Sequence, residues 1–265
     1  MTQNVLANLL TGCLIQTGRQ AMVPLYVAEG GSRAWGYATE QSDYDVKFVY
    51  RRPAESYQTL FERKDHTQFI LPPMYDYTGW DVTKFLRLLY KGNAQTAEVM
   101  LSPIVYFDTM PGIELKQFTI DKLKSNLLGV AYHYLGLTHS TYKSRMVDVA
   151  EPTLKKWFYI TRPLLAVEQI VNEHRLPTMN LDTLLEETKG YKTVPNGVYE
   201  TVKELLTLKR NGELTKDNKG RLENLEKWAL DRTNFYFNDK DWMKNVPQTT
   251  QNQEEYDTIY RRLVF

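Results

Sequence analysis

Apolar positions in the first part of the chain follow two different periods. Near the N-terminus they recur every three or four residues, at Leu6, Leu9, Leu10, Cys13 and Leu14. This spacing predicts an amphipathic helix over residues 4–15. Shorter apolar or alternating runs then predict β-strands over residues 22–28, 45–50, 66–71 and 75–78. Helical spacing returns at residues 80–90, and an apolar stretch follows at residues 95–101.

Beyond residue 111 the pattern is helical almost throughout. Segments with helix-like periodicity are separated by Gly, Pro and Asn, and they cover residues 115–126, 127–145, 151–174, 181–188, 197–210 and 222–238. A polar stretch then leads to a short terminal helix. Strands mixed with helices, followed by helices alone, predict an α/β or α+β domain at 1–110 and a helical domain at 111–265, and of the two classes we choose α+β. The boundary is expected near Pro111 and Gly112.

The composition is typical of a globular protein and does not by itself indicate a function. The chain has 265 residues, of which 42% are hydrophobic and 25% charged, as in ordinary globular proteins. The net charge of +1 neither requires nor excludes a nucleic-acid partner. Cys13 is the only cysteine, which excludes an intrachain disulfide and a zinc site built on several thiolates. No apolar run reaches the roughly 18 residues of a membrane span, and no signal peptide is evident, so we expect a cytoplasmic protein.

Two acidic residues head the second predicted strand. Asp43 and Asp45 alternate along the chain, so their side chains share one face, where like charges favour a bound divalent cation. Carboxylate ligands suit Mg²⁺ or Mn²⁺. Upstream, Gly31 and Ser32 allow backbone N–H groups to approach a phosphate, and residues 32–36 open a short helix towards it. The alternatives are a plain tight turn and solvated acids capping a β-turn.

These residues also resemble a known family. Gly31-Ser32, ten intervening residues and Asp43-Tyr44-Asp45-Val46 resemble the signature of the DNA polymerase beta-type nucleotidyltransferase superfamily. The longer sequence GSRAWG…SDYDVKFVY resembles the bacterial and phage branch of that superfamily, which consists of predicted nucleotidyltransferases linked to RNA repair. The resemblance implies a polymerase beta-like catalytic domain, with a mixed sheet and helices, at 1–110. A helical substrate-binding domain is then implied at 111–265.

A two-metal site commonly needs a third carboxylate. The sequence offers three acidic residues for this position: Asp76, Asp81 and Glu98. We choose Glu98, because an unpaired carboxylate in the apolar run 97–101 would be costly to bury, and because the surrounding stretch resembles the family. The alternative for Glu98 is a salt bridge to Arg87 or Lys91. Asp81 is expected to cap the helix that follows it.

A basic segment at residues 143–162 is the second candidate for substrate binding. Its basic residues are Lys143, Arg145, Lys155, Lys156 and Arg162. Lys155, Tyr159 and Arg162 fall at i, i+4 and i+7, which predicts one helical face able to hold a triphosphate or an acceptor phosphate. The segment also resembles the family's helical region, which implies substrate binding. The alternative is a solvated basic face with the aromatic residues in the core.

Together, the residues and the resemblance predict a metal-dependent nucleotidyltransferase. It would transfer a nucleoside monophosphate from an NTP to a hydroxyl acceptor, expected to be an RNA or tRNA end, and release pyrophosphate. The expected catalytic and metal-binding residues are Asp43, Asp45 and Glu98, and the expected nucleotide-binding residues are Gly31, Ser32, Arg33, Lys155, Tyr159 and Arg162. One alternative is transfer to a protein or small molecule, and another is a nucleotide-binding regulatory module without catalysis.

Overall fold

A mixed β-sheet positions the acidic residues of the chain. The structure is a computed structural model that describes residues 3–61, 63–144, 154–213 and 222–265. Within those residues the strands are β1 (Val23–Glu29), β2 (Tyr44–Arg51), β3 (His66–Leu71), β4 (Tyr75–Asp81) and β5 (Val105–Asp108). The first four confirm the strands predicted from the sequence, and β5 was not predicted.

The strands of the described sheet lie in the order β3-β4-β2-β1-β5. Strands β2 and β4 run parallel, and the other neighbouring pairs are antiparallel. The parallel pair aligns Asp45 with Asp76 and Val46 with Tyr77. A mixed sheet combined with many helices confirms the predicted α+β class.

Most of the described helices match predicted helical segments, whereas the helix at Ala94–Met100 falls on the apolar stretch 95–101, for which no element was predicted. The described helices are α1 (Gln3–Arg19), α2 (Gly31–Ala34), α3 (Val82–Tyr90), α4 (Ala94–Met100), α5 (Met110–Lys124), α6 (Leu127–Tyr142), α7 (Phe158–Glu173), α8 (Leu181–Thr188), α9 (Asn196–Arg210), α10 (Glu223–Asn238) and α11 (Gln253–Val264). Asp81 caps α3 as predicted, since its side chain accepts a hydrogen bond from the Thr83 N–H at 2.9 Å. Position 145 and positions 151–153 of the predicted helices lie outside the described residues.

Helix α5 begins earlier than predicted and contains Pro111 and Gly112 in its first turn. A helix tolerates proline there, because the first N–H groups have no intrahelical acceptor. Gly112 packs so closely on β1 that a Cβ at this position would lie 2.9 Å from the carbonyl carbon of Leu25. The two residues therefore allow a close helix–strand contact.

One face of the sheet forms an aromatic core against α1. Its fully or nearly fully buried side chains include Leu9, Cys13, Val46, Phe48, Tyr50, Tyr75 and Tyr77. The hydroxyl of Tyr77 donates to the backbone oxygen of Leu9 at 2.9 Å. Because strand side chains alternate, this burial turns Asp45 and Asp76 to the opposite face.

Contacts divide the chain into two compact units. The first comprises Met1–Ala34, Gln41–Leu123 and Thr249–Phe265, and it contains the sheet. The second comprises Lys124–Gln248 together with the short segment Trp35–Glu40. These units are defined by contacts between residues. The predicted division into a catalytic domain at 1–110 and a substrate-binding domain at 111–265 stays a prediction.

The second unit is helical and contains a buried ion pair. Glu168 on α7 is fully buried, and its carboxylate accepts hydrogen bonds from Arg232 Nε at 2.7 Å and from Thr193 Oγ1 at 2.6 Å. The segment Trp35–Glu40 packs into the same unit, where the ring of Tyr37 stacks on that of Phe158 with 4.9 Å between centroids. Charge and aromatic packing thus both contribute to the interior of this unit.

Among the described helices, none is both long enough and apolar enough to cross a membrane.

Candidate active site

Asp43 and Asp45 lie where β2 begins. Asp43 immediately precedes the strand and is exposed, and Asp45 is the second residue of the strand and is partly buried. Because the neighbouring Val46 is buried in the aromatic core, strand alternation places the Asp45 carboxylate on the opposite sheet face. Asp43 lies outside the strand, so the pairing of the two acids on one face stays a prediction.

Asp76 is the acidic residue that the sheet aligns with Asp45. The two residues are partners in the parallel pair of β2 and β4, so they lie on adjacent strands about 5 Å apart and point to the same face. Asp76 is partly buried, and Gln68 Nε2 donates to its carboxylate at 3.4 Å. Asp76 was one of the three candidates for the third carboxylate, and this register favours it.

Glu98 lies on α4 rather than on a strand of the sheet. The helix begins where the side chain of Asn93 accepts a hydrogen bond from the Gln95 N–H at 2.9 Å. Glu98 itself is partly buried. Its role as the third carboxylate stays a prediction, now in competition with Asp76.

The acidic residues have the chemistry that a divalent cation requires. Carboxylate oxygens are the ligands that Mg²⁺ and Mn²⁺ prefer. Asp45 and Asp76 supply them on one sheet face, and Asp43 precedes Asp45 by two residues. Within the described ranges, no group of three or more His, Cys, Asp or Glu side chains lies close enough together to hold a metal ion. All three acids therefore fit such a cation in type, and Asp45 and Asp76 also in direction, without forming a closed set of three ligands.

The glycine turn packs directly against Asp45. Gly30 N–H donates to the backbone oxygen of Asp45 at 2.7 Å. Gly31 has φ +54°, and a Cβ at this position would lie 2.6 Å from Cγ of Asp45. The left-handed backbone and the close carboxylate both require glycine here. Ser32 follows in α2 with its side chain buried.

Arg33 supports the chain that carries the acids. Its Nε donates to the backbone oxygen of Asp43 at 3.2 Å, and its terminal nitrogen donates to that of Ser42 at 2.6 Å. The guanidinium also lies 3.9 Å from the ring centroid of Tyr44. These contacts hold the loop before β2, and phosphate binding by Arg33 stays a prediction.

Glu29 is a buried acid that the sequence analysis missed. It is the last residue of β1, and its carboxylate accepts hydrogen bonds from the Asp45 N–H at 2.8 Å and from the hydroxyl of Tyr106. Burial raises the pKa of Glu29 to about 7, although both hydrogen bonds act to lower it. The only sequence signal was an acid at the end of an otherwise apolar strand.

The predicted nucleotide-binding residues of the second unit differ in their surroundings. Lys155 is exposed on a 3₁₀ turn, Leu154–Trp157, that precedes α7. The α-helical spacing that grouped Lys155 with Tyr159 and Arg162 therefore does not apply. Arg162 is buried, and its Nε donates to the backbone oxygen of Met179 at 3.2 Å. Tyr159 packs edge-on against the ring of Trp35. Nucleotide binding by these residues stays a prediction.

Lys209 is a buried cation in the second unit that the sequence analysis also missed. Its ammonium group donates to the backbone oxygen of Tyr37 and lies 4.3 Å from the centroid of that ring. Burial, followed by repulsion from Lys155 and Arg210, lowers the pKa of Lys209 to about 8. The sequence signal was its spacing, because Lys209 stands four residues after Leu205 on the apolar face of α9.

The sequence of the chain is similar to those of known proteins. The model of RlaP, the RNA repair pathway DNA polymerase beta family, matches residues 14–262. The chain belongs to this family. It is also similar to the uncharacterized protein YcgL of Bacillus subtilis (strain 168), with 32% identity over 190 residues, or 71% of this chain and 70% of that protein.

Membership in RlaP confirms the family resemblance seen in the sequence. It implies a polymerase beta-like nucleotidyltransferase linked to RNA repair. The match covers most of the chain, so it includes the acidic strand, the glycine turn and most of the helical region.

Proposed function

We propose that this member of the RlaP family is a metal-dependent nucleotidyltransferase. It transfers a nucleoside monophosphate from an NTP to a hydroxyl group and releases pyrophosphate. The observation that carries the proposal is the register of β2 and β4, which aligns Asp45 with Asp76 on one sheet face. The turn at residues 30–32 packs against Asp45, so a site for phosphate groups adjoins the carboxylates.

The carboxylates are the proposed ligands of the cation. Asp43 and Asp45 hold it, and a third carboxylate completes the set. The strand register supports Asp76 for that position, whereas the sequence supported Glu98. Bound Mg²⁺ or Mn²⁺, as one ion or two, would stabilise the charge of the leaving pyrophosphate and ease deprotonation of the acceptor hydroxyl.

The reaction is a displacement at the α-phosphorus of the NTP. The acceptor oxygen bonds to that phosphorus, the bond from phosphorus to the bridging oxygen breaks, and pyrophosphate leaves. Glu98, or Asp76 in its place, takes the proton of the acceptor hydroxyl. The backbone of Gly31 and Ser32 contacts the phosphates. The side chains proposed to assist are Arg33, Lys155, Tyr159 and Arg162.

The proposed acceptor is an RNA or tRNA end. Two observations support it: the RNA repair link of the family, and the exposed cation Lys155 in the basic segment of the second unit. Arg145, in the same basic segment, lies outside the described residues. The cytoplasmic location expected from the sequence stays a prediction.

Label transfer tests the proposal. The purified protein is incubated with each α-labelled NTP and Mg²⁺ or Mn²⁺, with and without bulk tRNA, and both labelled acceptor and pyrophosphate are measured. We expect label on RNA that requires the cation and disappears in Asp45→Asn. The exposed Asp121→Asn, on α5, is the matched control and keeps wild-type transfer.

Other outcomes select among the alternatives. Label on protein or on a small molecule, independent of RNA, would replace RNA as the acceptor. Nucleotide binding without transfer to any acceptor would overturn the enzyme proposal in favour of a regulatory module. Asp76→Asn and Glu98→Gln, compared in the same assay, identify the third carboxylate as the one whose loss abolishes transfer.

A further inference from the structure

Glu29 occupies an unusual place in the backbone pairing of the sheet. Antiparallel pairing of β1 with β2 runs as far as Glu29 opposite Val46. One residue further, Gly30 N–H still donates to the Asp45 oxygen at 2.7 Å. In a regular antiparallel pair, the Asp45 N–H would return a bond to the carbonyl of Gly30.

That return bond is replaced by a side chain. The Asp45 N–H donates to Oε1 of Glu29 at 2.8 Å. The Gly30 carbonyl is thereby available to accept from Ala34 N–H at 3.3 Å, which closes the single turn of α2. The carboxylate of Glu29 thus lets the chain leave the sheet at Gly30 while the backbone of Asp45 stays hydrogen-bonded.

The second oxygen of Glu29 connects to a third strand. The hydroxyl of Tyr106 on β5 donates to Oε2, and the side chains of Tyr106 and Glu29 are both buried. The backbone of Glu29 is fixed as well, because its oxygen accepts from Ser102 Oγ at 2.6 Å and its N–H donates to the Ile104 oxygen at 2.9 Å. The Glu29 carboxylate on β1 therefore connects to β5 through Tyr106 and to β2 at Asp45, the proposed metal ligand.

We infer that Glu29 and Tyr106 are positioning residues that fix the backbone, and with it the carboxylate, of Asp45. The inference rests on the proposed function for its catalytic consequence. Glu29 acts through Asp45 and has no contact with substrate assigned to it. A purely apolar residue of similar size would leave the Asp45 N–H and the Tyr106 hydroxyl without this acceptor, and buried donors without acceptors are unfavourable.

Three variants test this inference. Glu29→Met removes both acceptor oxygens at similar volume, Glu29→Gln keeps one acceptor for the Asp45 N–H, and Tyr106→Phe removes only the outer hydrogen bond. Thr109→Val is the control. Its hydroxyl bonds the Leu25 oxygen at 2.9 Å, so the variant loosens the other end of β1 without touching Asp45.

We expect a separation of kcat from KM. Displacement of a reacting group by about 1 Å costs on the order of 10²-fold in rate, so Glu29→Met should lose about that much in kcat with KM for NTP changed less than about threefold. Glu29→Gln should recover most of the loss, Tyr106→Phe should lie between, and Thr109→Val should match the wild type. Activities are expressed per folded protein, from circular dichroism and thermal unfolding.

Two kinetic results would overturn the inference. One is full kcat in folded Glu29→Met, and the other is a loss in Glu29→Gln as large as in Glu29→Met, which would assign the effect to the negative charge. Hydrogen exchange at the Asp45 amide gives a second readout that needs no activity. The inference requires faster exchange at that amide in Glu29→Met than in Thr109→Val, and equal rates would refute it even if Glu29→Met were inactive.

The two proposals fail in different ways. If the wild type transfers no label to any acceptor, the proposed function fails, and the amide exchange still decides whether Glu29 holds Asp45. If the wild type is active and amide exchange is unchanged in Glu29→Met, only the positioning inference fails.

Discussion

Replacing Gly31 by alanine perturbs the proposed site with a single methyl group. Gly31 has φ +54°, a left-handed conformation that costs an L-residue about 1–2 kcal/mol. The added Cβ would also lie 2.6 Å from Cγ of Asp45. Carbon atoms in contact are normally about 3.5–4.0 Å apart, so the carboxylate or the turn must move by roughly 1 Å.

The strained backbone lowers the stability of the variant, and the contact with Asp45 lowers its rate. We expect Gly31→Ala to lower the free energy of unfolding by about 1–2 kcal/mol, which a folded protein of this size tolerates. A shift of about 1 Å in a group that holds the reacting centre costs on the order of 10²-fold in rate. The variant should therefore be folded and lose about 99% of its kcat for nucleotide transfer.

Gly212→Ala is the control that separates the cost of backbone strain from the effect of the steric clash with Asp45. Gly212 also has a positive φ, +73°, but a Cβ there would meet no atom of the described residues within 4 Å. Urea unfolding and label transfer are measured on both variants. We expect comparable losses of stability, with kcat lost only in Gly31→Ala. A Gly31→Ala protein that keeps more than about a third of wild-type kcat would refute the tight packing of the turn against Asp45.

Three further outcomes are expected. Asp76→Asn should reduce label transfer by at least about 10²-fold, and a smaller loss than in Glu98→Gln would return the third position to Glu98. The pKa of Lys209 is lowered to about 8, so its native state binds fewer protons than the unfolded chain between pH 8 and its ordinary value, and stability rises with pH there. Relative to Lys209→Met, the wild type should gain about 2 kcal/mol in urea unfolding between about pH 8 and pH 10, and a constant difference would contradict this. Glu168→Gln should lose about 3–5 kcal/mol because it breaks a buried ion pair, whereas Asp241→Asn, in an exposed pair, should change stability by less than about 1 kcal/mol.

Periodicity predicted most of the fold because each long element buries one regular face. The apolar face around Phe85 and the strand β2 are examples, and both lie within two residues of their predicted bounds. Strand β5 was missed because it has four residues, too few to show an alternating pattern. The predicted start of helix α5 was too late, because Pro111 and Gly112 were interpreted as helix-breaking residues. In the structure they lie in the first turn of the helix.

The candidate site was predictable only where neighbours in sequence are neighbours in space. Gly31 and Asp45 were found from their local motif. The alignment of Asp76 with Asp45 depends on strand order and register, which residue spacing does not specify. The contact of Glu29 with the Asp45 N–H likewise depends on the irregular end of β1. Long-range hydrogen bonds of this kind leave no periodic signal.

The segment Trp35–Glu40 has a consequence for how this protein can be divided or recombined. It follows α2 directly and precedes the acids, yet its aromatic side chains pack within the helical unit, Tyr37 on Phe158 and Trp35 beside Arg162. A fragment truncated at residue 123 would expose both rings to water. Exchange of the helical half with that of a relative would require exchange of this loop as well.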